Sequence, residues 1–199
     1  MAAKTISFPK GRGHLTHNNR EFISKNVVSE RTSWNRIYQM ESLEAAYENC
    51  FGEALRKYNA AQKRKDRQKE NYQKEIEQSG NGEKLFYENI VQIGKKTDTP
   101  VVDEKGELTE DAKAAIKVLE QYATTFQERN PNLYLFNCVL HLDVKYSIVL
   151  MVYGVYRVRE KRRIGTSYTN RKKNVYDVTW KRIRKILKSG IGSGSFFIP

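Results

Sequence analysis

The chain has 199 residues, of which 39% are hydrophobic and 30% charged, and its net charge is +13; this length allows one folded domain, with or without a tail. Two cysteines are too few for a secreted disulfide scaffold. The N-terminus lacks the apolar core of a signal peptide, and the longest apolar run, residues 146–156, is about half of the ~20 residues that span a bilayer, so we expect a cytoplasmic protein.

The first predicted element is a short strand, because residues 4–8 alternate polar and apolar side chains before Pro9. The loop that follows contains the run "HNNR", residues 17–20. A histidine beside an arginine can attack or relay protons at phosphorus while the guanidinium holds phosphate oxygens. Taken alone, the run is more often a polar turn without function, because Asn-Asn favours turn conformations.

A long charged helix is predicted next. From Ser42 the apolar residues recur at helical spacing up to Tyr58. We expect the helix to continue to about residue 78 as a solvated arm in which only Tyr72 and Ile76 are apolar. A scaffold that self-associates through this helix is one possible function, although two apolar residues are few for a coiled coil.

A second helix is predicted after Thr109, a suitable N-cap that is followed by two acidic residues. The segment before it, residues 84–94, is compatible with either a strand or a helix. The predicted inward-facing positions of the second helix recur every three or four residues: Ala112, Ala115, Ile116, Leu119, Tyr122, Ala123 and Phe126.

Residues 133–143 form the clearest predicted strand. Alternation places an apolar set on the face that the helices cover: Tyr134, Phe136, Cys138, Leu140 and Leu142. The opposite set is Leu133, Leu135, Asn137, Val139, His141 and Asp143. This pattern predicts an α+β fold, an antiparallel sheet with helices on one face and a working surface on the other.

His141 and Asp143 point the same way on that working surface. An imidazole and a carboxylate two residues apart on a strand can share a metal or orient one another. Such a pair is more often a surface pair or a satisfied core pair. The spacing alone therefore does not establish a metal site.

The positive charge is concentrated at the end of the chain. Residues 1–143 contain 22 Lys/Arg and 21 Asp/Glu, whereas residues 144–199 contain 14 Lys/Arg and only two acids. Such a block attracts DNA or RNA through counterion release, unless it is simply a solvated tail. The candidate contacts in this basic tail are Arg162, Arg163, Arg171, Lys172, Lys173, Lys181 and Arg182.

Two segments together resemble a known family. They are "HNNREFISKNVVSERTSWN", near the N-terminus, and "FQERNPNLYLFNCVLHLD", about 110 residues later. In this order they resemble the Mob/Pre family of plasmid mobilisation and recombination relaxases, the MobV class of the HUH endonuclease superfamily. The resemblance covers residues 1–143. It implies an antiparallel sheet with helices on one face, and a protein that nicks one strand of plasmid DNA at the transfer origin.

The resemblance also implies roles for individual residues. His17 matches the proposed nucleophile, which forms a phosphoramidate with the 5′ phosphate and leaves a 3′ hydroxyl. Arg20 matches the motif arginine that holds the phosphate or the strand. Arg12 and Asn18 would contact DNA, and a divalent metal, Mn or Mg, would polarise the scissile phosphate.

The metal motif is where the chain departs from the family pattern His-x-Asp-Glu-x-x-Pro-His-x-His. His141 and Asp143 match its first and third positions. The later positions, aligned without gaps, fall on Val144, Ser147, Ile148 and Leu150. The chain has only three histidines, and none follows His141, so a shifted alignment cannot supply the missing ligands.

The sequence therefore predicts a partial relaxase domain at residues 1–143 and a basic tail of uncertain fold at residues 144–199. The leading hypothesis is a truncated or frame-disrupted protein that binds plasmid origin DNA and in which nicking is impaired. A functional replacement tail is the alternative origin. A non-catalytic DNA- or RNA-binding protein that uses the basic tail is the alternative function.

Overall fold

A computed structural model describes residues 4–9, 11, 14–80, 84–94, 99–145, 147–156 and 196–197. The predicted DNA contact Arg12 and the candidate contacts of the basic tail, residues 162–182, lie outside these residues. Five helices lie within them: α1 (Leu15–Asn18), α2 (Leu43–Ala60), α3 (Tyr72–Glu77), α4 (Glu110–Thr124) and α5 (Phe126–Arg129). Two 3-10 helices span Ser29–Trp34 and Lys65–Arg67.

The centre of the fold is an antiparallel sheet in the order β2-β4-β5-β3-β1. Its strands are β1 (Lys4–Ser7), β2 (Arg36–Met40), β3 (Tyr87–Ile93), β4 (Leu133–His141) and β5 (Ile148–Tyr156). The two-residue strand β6 (Phe196–Phe197) pairs with β1 in parallel. The α+β fold with an antiparallel sheet is confirmed. The ambiguous segment 84–94 provides strand β3.

β5 changes the predicted domain boundary. It lies between β3 and β4 and pairs with each along almost its whole length. Its residues Ile148, Leu150 and Val152 are fully buried in the main core. Residues 148–156 therefore belong to the sheet, and the boundary predicted at residue 143 falls inside the domain.

α4 covers one face of the sheet, as its spacing predicts. Thr109 caps the helix by accepting a hydrogen bond from the Ala112 backbone N–H at 3.1 Å. All the predicted inward-facing residues are buried, and they pack against the β-strands in the main core. Each large apolar side chain buried in this way contributes about 1.5–3 kcal/mol. No helix within the described ranges is long and apolar enough to span a bilayer.

The sheet face predicted for each β4 side chain is correct from residue 137 onwards and wrong for residues 133–136. The pairing of β4 with β5 shifts register between Leu135 and Asn137, which leaves Phe136 as an extra residue in a β-bulge. Leu133 therefore lies in the same core as Cys138, whereas Phe136 packs on the opposite face. One extra residue exchanges the two faces, because side chains alternate with a period of two.

The long charged helix is also shorter than predicted. α2 ends at Ala60, and the chain returns through a 3-10 helix to α3 instead of continuing to residue 78. Tyr72 packs on Tyr47 and Phe51, with ring centroids 6.4 and 5.0 Å apart. Together with Phe136 these rings form a second apolar cluster on the face opposite α4. Tyr72 and Ile76, two apolar residues that are few for a coiled coil, instead pack the helical hairpin of α2 and α3 onto the sheet.

Candidate functional site

The candidate site lies on the sheet face opposite α4, where β4 ends. His141 pairs across the strands with Val149 of β5, and its side chain is fully buried. The "HNNR" run, which begins in the last turn of α1 and continues beyond it, lies over this end of β4. The structure therefore brings together His17, Arg20, His141 and Asp143, which are up to 126 positions apart in the sequence. The two family-like segments of the sequence imply that these residues act together.

Three asparagines attach α1 to β4. The side-chain amide of Asn137 donates to Asn19 Oδ1 at 2.8 Å. Asn18 donates to Asn137 Oδ1, and its own Oδ1 accepts a hydrogen bond of 2.7 Å from His141 Nε2. Asn18 is 1% exposed. The prediction that Asn18 contacts DNA is therefore wrong, because its side chain is buried and both of its polar atoms are hydrogen-bonded within the protein.

Arg20 and Asp143 form a buried, two-pronged ion pair. Arg20 Nε donates to Asp143 Oδ2 at 2.7 Å and Nη2 donates to Oδ1 at 2.5 Å, while Nη1 donates to the His17 carbonyl oxygen at 2.7 Å. The side chains are 8% and 0% exposed. The fork predicted to hold a DNA phosphate therefore holds a protein carboxylate.

A loop that the sequence analysis did not single out completes the cage around Asp143. Asn35 Nδ2 donates to Asp143 Oδ2 at 2.8 Å, and Thr32 Oγ1 donates to the same oxygen at 3.2 Å. Asn35 Oδ1 also accepts from the Leu142 backbone N–H at 2.8 Å. Both residues lie in "SERTSWN", the end of the first family-like segment. That position within the motif was the available signal, since neither residue type is diagnostic alone.

These contacts determine the charge of Asp143. Burial alone would raise the pKa of this carboxyl group, but the hydrogen bonds from Arg20 and Asn35 and the positive charge of Arg20 outweigh it. The net effect is a pKa well below the usual range. Asp143 is therefore a carboxylate at every pH at which the protein is expected to work.

His17 is the member of the run that remains available for chemistry. Its imidazole is partly exposed and makes no side-chain hydrogen bond to another described residue. Burial and the nearby Arg20 lower the pKa of His17. The imidazole is therefore neutral at pH 7, the form in which a ring nitrogen has a free electron pair for nucleophilic attack.

The residues present do not fit a catalytic divalent metal. His141 Nε2 is bonded to Asn18, and Nδ1 lies 3.7 Å from Asp143 Oδ1 without a hydrogen-bond partner among the described residues. The Asp143 oxygens already accept four hydrogen bonds. Within the described ranges no three His, Cys, Asp or Glu side chains converge as ligands. A catalytic site of this type typically needs three protein ligands.

The positions aligned with the missing ligands confirm this misfit. Ile148 and Leu150 are 0% exposed to solvent and are buried in the core beneath α4, on the face opposite His141. The β5 residue that does share the face of His141 is Val149, its cross-strand partner. The positive charge next to Asp143 is therefore that of Arg20, which occupies the carboxylate oxygens that a metal would need as ligands.

A second polar pair lies further along the same face. The Tyr153 hydroxyl donates to Glu88 Oε1 at 2.5 Å and lies 3.5 Å from the His14 carbonyl oxygen. Burial and the hydrogen bond with Glu88 raise the pKa of Tyr153 above its ordinary value. The hydroxyl therefore stays protonated and acts as a donor. The pair connects β3 and β5 to the segment that leads into α1.

Comparison with solved structures identifies the fold. The chain superposes on the crystal structure of a Mn-bound MobM relaxase domain (MOBV; Mob_Pre) with plasmid pMV158 oriT DNA at pH 5.5, with a TM-score of 0.50 and 16% identity over 96% of this chain and 88% of that one. A second Mn-bound structure of that domain with oriT DNA, at pH 4.6, gives a TM-score of 0.44 and 16% identity, over 96% and 89% of the two chains. No family model and no curated protein matches the chain. The fold is that of a relaxase domain.

Proposed function

We propose that this chain is a Mob/Pre-type plasmid mobilisation and recombination protein that binds single-stranded origin DNA, and that metal-dependent nicking is impaired in it. The observation that carries the proposal is the docking of the "HNNR" turn onto the end of β4. That docking places His17 beside His141 and Asp143 within a relaxase fold. Because the proposed partner is plasmid DNA, the proposed location is the cytoplasm.

The arrangement supports binding more strongly than cleavage. A neutral His17 has the electron pair needed to attack phosphorus. Stabilising the charge that then develops on the phosphate oxygens requires preorganised positive groups. Arg20 is committed to Asp143, and the described residues offer no complete ligand set for a metal. The nucleophile is therefore present without the groups that would make its attack fast.

Binding to origin DNA is the first test of the proposal. We expect the purified chain to bind a single-stranded origin oligonucleotide more tightly than a scrambled one of equal length, measured by fluorescence anisotropy. The logarithm of the affinity should fall linearly with the logarithm of salt concentration, by about 0.7 per phosphate neutralised. His17→Ala should bind as well as the wild type, because the imidazole is not needed for electrostatic contact.

The same titration distinguishes the proposed function from the alternative one. A non-catalytic DNA- or RNA-binding protein that uses the basic tail would bind origin and scrambled strands equally, since phosphate contacts carry no sequence information. The uneven charge, with 14 of the 36 basic residues in residues 144–199, is the observation that favours this alternative. Equal affinity for both strands would reject the proposed function in its favour.

A further inference from the structure

We infer that Phe22 and Ile23 form a platform on which one unpaired DNA base stacks next to His17. This inference rests on the proposed function, because it specifies how a single strand would be held there. Nothing in the resemblance or in the comparisons assigns a role to either residue. The support comes from their exposure, their rigid support and their distance from the imidazole.

Exposure is the first observation. Phe22 is 60% exposed and Ile23 is 54% exposed, and the two are consecutive in a loop. Scattered single apolar residues at a surface need no explanation, whereas contiguous exposed apolar surface more often belongs to a binding site. An aromatic face with an aliphatic neighbour suits the flat, partly apolar surface of a nucleobase, and every base has such a face.

Rigid support is the second observation. Arg20, two residues before Phe22, has a φ of 59°, a left-handed conformation that is uncommon for a residue with a Cβ. Such strain costs on the order of 1 kcal/mol and persists only when the surroundings impose it. Here the bonds from Arg20 to Asp143 impose it, and the Glu21 N–H donates to the Thr16 carbonyl at 2.9 Å. The buried ion pair thus holds Phe22 out in solvent in a defined place.

Distance is the third observation. The ring centroids of Phe22 and His17 are 6.3 Å apart, and the ring planes are tilted by 55°. A base that stacks on Phe22 therefore brings its own sugar and phosphate up to the imidazole. The occupant is a nucleic-acid strand, since the adjacent neutral imidazole is a potential nucleophile for phosphorus and the proposed partner of the chain is origin DNA. A rigid stacking platform would fix the register of the strand with little ordering cost on the protein side.

The test is the affinity of the full chain for single-stranded origin oligonucleotides in which successive bases are replaced by 2-aminopurine. We expect Phe22→Ala to weaken binding by about 5- to 150-fold, the range that corresponds to the loss of one base–aromatic stack. One 2-aminopurine position should be quenched on binding to the wild type and not on binding to Phe22→Ala. Phe22→Trp should retain both the affinity and the quenching, because it keeps an aromatic face.

A matched control is Trp34→Ala. Trp34 is also an exposed aromatic residue, at 37%, but it lines a shallow depression with Leu108 and Lys113 near the start of α4. Its replacement should leave the affinity unchanged. Circular dichroism melting of each variant checks that the fold is intact, and Phe22→Leu separates stacking from simple apolar bulk.

The outcomes are distinct. Wild-type binding that Phe22→Ala leaves unchanged would overturn the platform and leave the proposed function standing. A wild type that fails to bind any single strand would overturn both. If Phe22→Ala instead converts a dimer into a monomer in light scattering, without loss of DNA affinity, the apolar pair is a contact with a second copy and the inference is wrong.

Discussion

Replacing Asp143 with asparagine should destabilise the protein by about 3–5 kcal/mol, the typical cost of removing one partner from a buried ion pair. The variant Asp143→Asn leaves the guanidinium of Arg20, 8% exposed, without its counter-charge. It also replaces one of the two oxygens that accept from Arg20 with an NH2 donor, which weakens the hold on the strained turn at Arg20. For a chain of this size we expect the melting temperature to fall by about 10 °C, measured by circular dichroism together with urea denaturation.

Two controls make this prediction specific. Glu48→Gln removes one partner of an exposed pair with Arg56 and should change stability by less than about 0.5 kcal/mol. The double variant Arg20→Met with Asp143→Leu removes both buried charges and should be more stable than Asp143→Asn alone. A loss below about 1 kcal/mol for Asp143→Asn would mean that the guanidinium finds water instead, and that the pair is not buried as described.

The ion pair also determines how stability depends on acid. The pKa of Asp143 is lower in the folded protein than in the unfolded chain. Its stabilisation is therefore complete above the unfolded value of about 4 and is lost as the pH falls below it. Asp143→Asn should abolish this part of the acid dependence while leaving stability at pH 5–8 uniformly lower.

The second large effect concerns an attempt to restore the metal motif. Placing histidines at the aligned positions, Ile148→His with Leu150→His, should destabilise the protein by about 5 kcal/mol or more, because both side chains lie fully buried against α4. Urea denaturation should show an early or absent cooperative transition. If the family pattern is transferred residue by residue, the two later histidine ligands fall on Ile148 and Leu150, inside the apolar core.

The matched pair is Val149→His with Met151→His, one residue further along β5. These positions pair with His141 and Val139, so they share the face of the candidate site. This variant should stay folded, and its stability loss should be clearly smaller than that of the 148/150 pair. Equal loss from both pairs would contradict the assignment of faces on β5.

Much of the fold follows from local patterns in the sequence. α4 could be predicted in detail, because its N-cap and its apolar spacing act within a few residues. Simple alternation also predicted that His141 and Asp143 point to the sheet face opposite α4, although it did not predict that both are fully buried there. The two faces at the start of β4 could not be predicted, since a bulge at Phe136 depends on pairing with β5 and leaves no local mark.

The hairpin of α2 and α3 shows a second limit. Tyr72 and Ile76 look isolated in a charged segment, and only the folded chain shows that they pack against α2. The apolar run at residues 146–156 is visible in the sequence, but the place of β5 in the sheet depends on β4 partners 8 to 23 positions earlier and on β3 partners 55 to 67 positions earlier. Long-range pairing, rather than propensity, decides both cases.

The sequence identified which residues meet at the candidate site, but it did not show which of them contact one another. The two motif segments placed His17, Arg20, His141 and Asp143 in one region, and the structure brings them together. What could not be foreseen is that Arg20 and Asn18 face inward. Both face inward because the buried carboxylate and imidazole of β4 need partners, and these two side chains supply them.

The most direct test of the central claim, a DNA-binding relaxase fold with impaired nicking, is a plasmid relaxation assay. Supercoiled plasmid carrying the cognate origin is incubated with the wild type and Mn²⁺, and the products are separated on a gel after protein removal. We expect the plasmid to stay supercoiled even at protein concentrations that saturate origin binding. Efficient relaxation that requires Mn²⁺ and disappears in His17→Ala would contradict it.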